Sequence, residues 1–394
     1  MTAPVVLDGR PLQPGFKAHA QRGIGRYAKN LLTALLELLD PARVRFLVQA
    51  NLPDPELPVA IPRIRAPFFP PIIPVGKKLI SYHLFTPLAL KPAWRAGQVV
   101  HFLSHLDAPS RVGPRTILTV HDLIAQRLQG LYQGSRTSAR FRLERWLETR
   151  CLFGAAKIIA VSQCTKDDVC QLYGLDPGLI TVIPEAADPG LRPEDDPARR
   201  AEILARHGLD PREPFYLYLG GIDQRKGLDT LLTALKALEE QGRPHTLALA
   251  GRIEGDRQYP LLLKSIEAHG LKEAVRLLGY VSDAELPTLF GAATAFVFPS
   301  LYEGFGLPPL EAFACGAPVV AVGASAVPEV VGDAGILVPP GDSVALAEAL
   351  GAIHDLPELA AELKDKGRKR AALFSWPRAA RETLAIYREV GGEP

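Results

Sequence analysis

Short runs of unalternated apolar residues recur along the chain, and stretches of helical periodicity lie between them. Before residue 190 the runs are PVVLDG (4–9), VRFLVQA (44–50), QVVHFL (98–103), RTILTV (115–120), AKIIAVS (156–162) and LITVIP (179–184). After it they are FYLYLGG (215–221), HTLALAG (245–251), AVRLLGY (274–280), TAFVFPS (294–300), PVVAVG (318–323) and GILVP (335–339). Helical patterns intervene at 26–39, 138–153, 229–241, 259–270 and 344–354. An alternating strand has one wet face, whereas a strand apolar throughout is covered on both. Such strands joined by helices predict α/β architecture with parallel, doubly wound sheets. There are two sets, and PEAADPGLRPEDDPARR (184–200), rich in Pro and Asp, reads as the linker between them. A length of 394 residues agrees with two domains rather than one core. A ligand cleft is expected at the carboxyl ends of the strands.

Composition narrows the picture. No run of 18 apolar residues is present, so no spanning helix is predicted. MTAPVVLDGR enters a strand at once and lacks the regions of a secretory signal. Cys151, Cys164, Cys170 and Cys315 have no C-x-x-C spacing, which argues against structural zinc and disulfides and fits a reducing cytoplasm. The net charge of +2 hides an asymmetry: 23 Lys and Arg against 14 Asp and Glu up to residue 190, then 22 against 29. A basic first half suits an anionic partner such as a phospholipid surface or a lipid phosphate; drift in surface composition would look the same. The segment KKLISYHLFTPLALKPAWR (77–95) fits either a helix lying at a membrane surface or a buried helix ending at Pro87.

QRGIGRYAKN (21–30) contains G-x-G-x-x-A, the spelling of a dinucleotide turn. That turn must follow its strand directly, and an acidic residue should close the second strand. Here thirteen residues separate Gly9 from Gly23, and the second strand ends in Gln49-Ala50. NAD binding is therefore disfavoured. Arg22 and Arg26 nevertheless flank a helix start, the wrong end for cations unless an anion is nearby. Arg225 and Lys226 repeat this after strand FYLYLGG. Two such places, one per domain, suggest a single polyanion such as a diphosphate.

FPSLYEGFGLPPLEAFACGAPVVAV (298–322) carries two carboxylates. Glu311 is expected in the first turn of a helix opened by Pro308-Pro309 and ended by Gly316, where a carboxylate has a local structural reason to be. Glu303 has none. It lies at a strand's carboxyl end in a glycine loop, where function concentrates.

The pattern Glu303-x7-Glu311 within S-x-x-E-G-F-G-L-P-x-x-E-A-x-A-x-G-x-P-V resembles the retaining glycosyltransferases of family 4, which have the GT-B fold. RGIGRYA (22–28), HDLI (121–124), VSQCTKDDV (161–169), GGIDQRKGL (220–228) and GILVPPGD (335–342) resemble that family's segments in the same order. The resemblance implies two Rossmann-like domains facing a central cleft, at 1–190 for the acceptor and 191–378 for the nucleotide-sugar donor. A terminal helix, 379–394, would return to the first. Glu303 would bond donor sugar hydroxyls, aided by backbone amides of Gly304, Phe305, Gly306 and Leu307. Glu311 would accept from the ribose. Arg225 and Lys226 would neutralise the diphosphate, with the Gly23–Gly25 loop covering it. His121, at the end of strand RTILTV, would lie beside the reacting sugar; a His in a turn also has ordinary structural uses.

One departure stands out: many members carry an arginine directly after the strand-ending glycine, where this chain has Gly220-Gly221. Without a D-x-D triplet a metal-free reaction is expected, with no cofactor. The G-I-G-R-Y segment looks most like mannosyltransferases, so GDP-mannose is the first expectation for the donor and UDP-sugars the next. A saccharide or lipid-linked acceptor, as in polysaccharide assembly, is expected, with cytoplasmic location, peripheral contact with an anionic membrane and no nucleic acid. A non-catalytic sugar-nucleotide-binding protein, or an epimerase or hydrolase on a similar fold, is the alternative.

Overall fold

The structure is a computed structural model that describes residues 4–17, 23–56, 60–68, 81–128, 139–243 and 245–392. Gln21, Arg22, residues 77–80, residue 138 of the expected helix 138–153 and residues 393–394 of the expected terminal helix lie outside the described residues. The chain forms two compact units, Met1–Glu185 with Ser375–Pro394, and Ala186–Phe374. The divisions fall at 185/186 and 374/375, where the sequence reading set 190/191 and 378/379.

The first unit holds a seven-stranded sheet in the order β3-β2-β1-β4-β5-β6-β7. Its strands are β1 (Val5–Asp8), β2 (Val44–Gln49), β3 (Arg63–Ala66), β4 (Val99–Phe102), β5 (Thr116–Val120), β6 (Lys157–Ala160) and β7 (Ile180–Val182). The second unit holds a six-stranded sheet in the order β10-β9-β8-β11-β12-β13. These strands are β8 (Phe215–Leu219), β9 (Thr246–Ala250), β10 (Val275–Gly279), β11 (Ala295–Phe298), β12 (Val319–Val322) and β13 (Ile336–Val338). Every pairing is parallel. Both sheets are therefore doubly wound, as the unalternated runs predict.

Alternate side chains of each strand feed different cores. In β8, Tyr216 and Tyr218 join one buried cluster with Leu231 and Leu235, while Phe215 and Leu217 join another with Phe290 and Phe313. The sequence stops the helices locally. Ser162 accepts from the Thr165 N–H at the start of helix Gln163–Tyr173, and Gly174 ends it in the left-handed conformation. Asp342 and Ser375 cap helices Ser343–Asp355 and Trp376–Gly391 in the same manner.

Three local expectations change. The helix read from 26 runs Gly23–Leu36, so Gly23 and Gly25 belong to its first turn rather than to a preceding loop. Pro87 stands in the first turn of helix Thr86–Arg95, preceded by a π-helical turn at Ser81–Phe85. It begins a helix instead of ending one, since proline's missing N–H costs nothing in a first turn. Helix Leu307–Ala314 starts after Gly306, which puts Glu311 fifth, past the first turn.

In each sheet the chain runs outward on one side of its first strand and then returns to the other. The reversal falls between β1 and β4 in the first unit, and between β8 and β11 in the second. Two loops diverge at such a point and leave a crevice at the strands' carboxyl ends.

Candidate active site

At the β8/β11 reversal the sequence builds a cation pair. After β8 a 3-10 turn, Gln224–Lys226, is capped by Asp223, whose carboxylate accepts from the Arg225 N–H at 3.1 Å. Gly227 follows at φ 66°, and a Cβ there would stand 2.1 Å from the Pro299 carbonyl oxygen. Only glycine lets the loop after β8 approach the loop after β11 this closely. The Leu301 N–H then donates to the Arg225 carbonyl at 2.7 Å and staples the two loops.

Glu303 sits where they meet. Its Oε1 accepts from Arg225 Nη1 at 2.8 Å, Lys226 Nζ at 2.6 Å and Ser300 Oγ at 2.6 Å. Arg225 Nη1 also donates to the Tyr302 carbonyl at 2.8 Å. The Glu303 N–H donates to Ser325 Oγ at 2.8 Å, and Ser325 adopts a left-handed φ of 51°. Glu303 Oε2 has no hydrogen-bond partner among the described residues. Burial pushes the Glu303 carboxyl upward, but the Lys226 and Arg225 charges and the hydrogen bonds outweigh it and hold the group below the usual glutamate range. Side-chain exposures of 13–16% for Lys226, Glu303 and Arg225 mean the cluster is sheltered yet reachable.

The Glu303 loop then enters a helix. Gly306 has φ 124°, a conformation that glycine adopts readily, and it directs the chain into Leu307–Ala314. Gly304 is buried, and Phe305 packs edge-on against Phe374 with centroids 5.9 Å apart. Leu307 is half-buried at the helix start. Glu311 is 2% exposed; burial, helped by the Glu311 charge, raises the Cys315 thiol to about 12. At Gly221 an added Cβ would meet nothing within 4 Å.

His121 belongs to the first unit, at the carboxyl end of β5. Nδ1 faces Glu185 Oε1 at 2.9 Å and Nε2 faces the Leu103 carbonyl at 2.8 Å. Both ring nitrogens are engaged, and a protonated ring would donate to both partners and leave neither nitrogen open. Burial alone would lower its pKa; the Glu185 hydrogen bond and charge reverse that and raise it. Tyr27, from helix Gly23–Leu36, packs edge-on against the imidazole with centroids 4.6 Å apart. Its hydroxyl meets Thr119 Oγ1 at 3.1 Å, and Thr119 meets His101 Nε2 at 2.9 Å. His101 Nδ1 meets the Tyr387 hydroxyl of the terminal helix at 2.7 Å. Burial and the nearby His121 charge press His101 down to about 3, so this ring is neutral.

The β1/β4 reversal holds a group that sequence reasoning missed. Arg10 donates to both Asp8 oxygens, at 2.7 and 2.8 Å, and to the Asp107 carbonyl at 2.7 Å. Lys17 pairs with the Asp107 carboxylate and donates to the Leu106 carbonyl at 3.1 Å. Arg10 and Asp8 are each 1% exposed. Glu185 was missed as well, inside the stretch read as linker. Among the described residues no three His, Cys, Asp or Glu side chains converge to hold a metal ion, and no helix is long and apolar enough to cross a membrane.

Two family models match the chain: Glycosyltransferase Family 4 over residues 21–191 and Glycosyl transferases group 1 over residues 199–370. The α-maltose-1-phosphate synthase of Mycobacterium tuberculosis is 31% identical over 70% of this chain and 73% of that protein. The protein is a glycosyltransferase of this family. The O-antigen chain mannosyltransferase B of Escherichia coli is 34% identical to the transferase over 60% of this chain and 61% of its own length. Among solved structures, sucrose-phosphate synthase from Thermosynechococcus elongatus superimposes with a TM-score of 0.77, 25% identity and 99% of both chains covered. The transferase thus has the GT-B type of fold, two Rossmann-like domains built on parallel sheets of seven and six strands.

Proposed function

We propose that the transferase moves a hexose, first of all mannose from GDP-mannose, to a saccharide or lipid-linked acceptor with retention at the anomeric carbon. The carrying observation is the Arg225–Lys226–Glu303–Ser300 cluster at the β8/β11 reversal. The sugar C1–O bond to the diphosphate breaks and its electron pair stays on phosphate. The acceptor oxygen forms the new bond to C1 and gives its proton to the departing phosphate on the same face. Negative charge grows on the leaving group, and fixed cations stabilise it without reorganising, usually the largest catalytic contribution. Arg225 and Lys226 take that role. Glu303 Oε2 accepts from a sugar hydroxyl, the amides of Gly304 to Leu307 assist, and Glu311 serves the ribose. The Gly23–Gly25 turn contributes the amides of a helix start to the phosphates. His121, doubly hydrogen-bonded, is held in place beside the reacting sugar and does not abstract a proton.

Mannose is favoured by the likeness to the E. coli mannosyltransferase. A UDP-sugar donor is the second reading. Membrane contact through the basic first half, and a reaction without metal, are parts of the same proposal. The test incubates the purified protein with GDP-mannose, UDP-glucose, UDP-galactose and UDP-N-acetylglucosamine, with and without EDTA. Release of one nucleoside diphosphate, unaffected by chelation, is expected. No release from any donor with any saccharide acceptor, or NMR of the product showing an inverted anomeric centre, would contradict the assignment.

A further inference from the structure

The cation pair of the second unit already has carboxylates against it. Arg225 and Lys226 bring two positive charges, and Glu303 and Asp223 bring two negative ones. Asp223 lies 3.7 Å from Arg225 Nε, and Glu303 Oε1 takes hydrogen bonds from both cations at 2.6–2.8 Å. A site built only to grip a diphosphate would not place a carboxylate on its own cations, since like charges at contact distance oppose each other. The geometry of Glu303 shows two separate uses. Oε1 is anchored by three donors, and Oε2 is left over for a ligand.

We infer that Glu303 is a built-in counter-ion that makes the site hold the intact sugar donor better than the nucleoside diphosphate product. The inference rests on the assignment of Arg225 and Lys226 to the donor's diphosphate. An intact donor brings a hydroxyl for Oε2 along with its two phosphates, so attraction to the sugar offsets repulsion of the anion. Transfer removes the hydroxyl and leaves a terminal phosphate that can carry one more negative charge. The product then meets the carboxylate with nothing to offset it, and the same residue that orients the sugar promotes release. Glu303 thereby sets the preference between substrate and product. Ser300 matters because its hydroxyl, 1% exposed as a residue, holds Oε1 on the cations from a third direction.

The test is calorimetric binding of UDP, GDP and ADP to the wild-type protein and to Glu303→Gln, with product inhibition measured beside it. The nucleoside diphosphate that the wild type binds most tightly should bind Glu303→Gln about tenfold tighter, although turnover falls. Its sugar conjugate should gain less, so the preference for donor over product shrinks. Glu303→Ala, which leaves open space beside the cations, carries the same expectation and replaces the Gln variant if that one does not fold. Unchanged or weaker diphosphate binding in both variants, with the wild type binding normally, overturns the counter-ion role alone. A wild-type protein that binds none of the three overturns the diphosphate assignment itself, and the inference with it.

Discussion

The two sheets reverse their winding in the same way, yet their reversal points are filled differently. In the first unit, Asp8, Arg10 and Asp107 are almost wholly buried; Arg10 donates to both Asp8 oxygens and to the Asp107 carbonyl, and Lys17 at the edge pairs with the Asp107 carboxylate. In the second, Arg225, Lys226 and Glu303 remain partly exposed, and one carboxylate oxygen is left over. The topology supplies a crevice in both cases. What the chain places there decides whether the charges hold the fold together or wait for a ligand. An ion network buried from solvent does the first. A cluster that a ligand can reach does the second.

The comparison breaks if mutations fail to separate stability from turnover. Arg10→Met leaves Asp8 buried without its partner and should cost the first unit about 3–5 kcal/mol, read from chemical denaturation. A loss under about 1 kcal/mol would remove Arg10 from the fold's support. Lys226→Ala should instead leave the melting temperature nearly unchanged and lower kcat on the order of 10²–10³-fold, about 2.7–4 kcal/mol of barrier, as for loss of one oxyanion donor. A wild-type rate in that purified variant would detach the cluster from the chemistry.

Smaller effects sharpen the picture. At a pH below 6.5, Glu185→Ala removes an acceptor from protonated His121 and should cost about 1.5–3 kcal/mol. Because the folded His121 pKa is raised above 6.5, the pair's contribution is complete below that pH and disappears as pH rises through the folded value. Stability measured against pH should show this window in the wild type and lose it in Glu185→Ala. The groups facing His121 are Glu185, the adjacent Asp122, the neutral His101 and His105, and Tyr27. A pH profile shared by both proteins would assign the window elsewhere. Smallest of all, Gly221→Arg adds a cation where space exists and should tighten diphosphate binding by about 0.3–1 kcal/mol, less at high salt. A gain that salt does not diminish would not be electrostatic.

The strands were legible because buried parallel strands are apolar on both faces, and all twelve runs named from sequence contain a strand. The thirteenth, β3, was not. It is the edge strand RIRA, only four residues long, whose polar and apolar residues alternate, so it forms no unalternated apolar run. The Glu303 site was legible because its residues stand in glycine loops directly after strands. Helix starts were less so: Gly23 and Gly25 suit a loop by propensity, but the buried face of Gly25, Tyr27 and Ala28 draws them into the helix. Glu185 and the Arg10 group stayed hidden because their partners are remote in sequence. Glu185 meets a residue 64 positions away, and Arg10 reaches the Asp107 carbonyl across 97. Asp8 gave one hint, a carboxylate closing the otherwise apolar run VVLD with an arginine two places on.

The most direct test of the central claim is a crystal structure with whichever of UDP and GDP binds more tightly. Its phosphates are expected within hydrogen-bonding distance of Lys226 Nζ and the Arg225 guanidinium, at the carboxyl ends of β8 and β11. A nucleotide bound anywhere else, with the three bonds to Glu303 Oε1 intact and no ligand beside them, would contradict it.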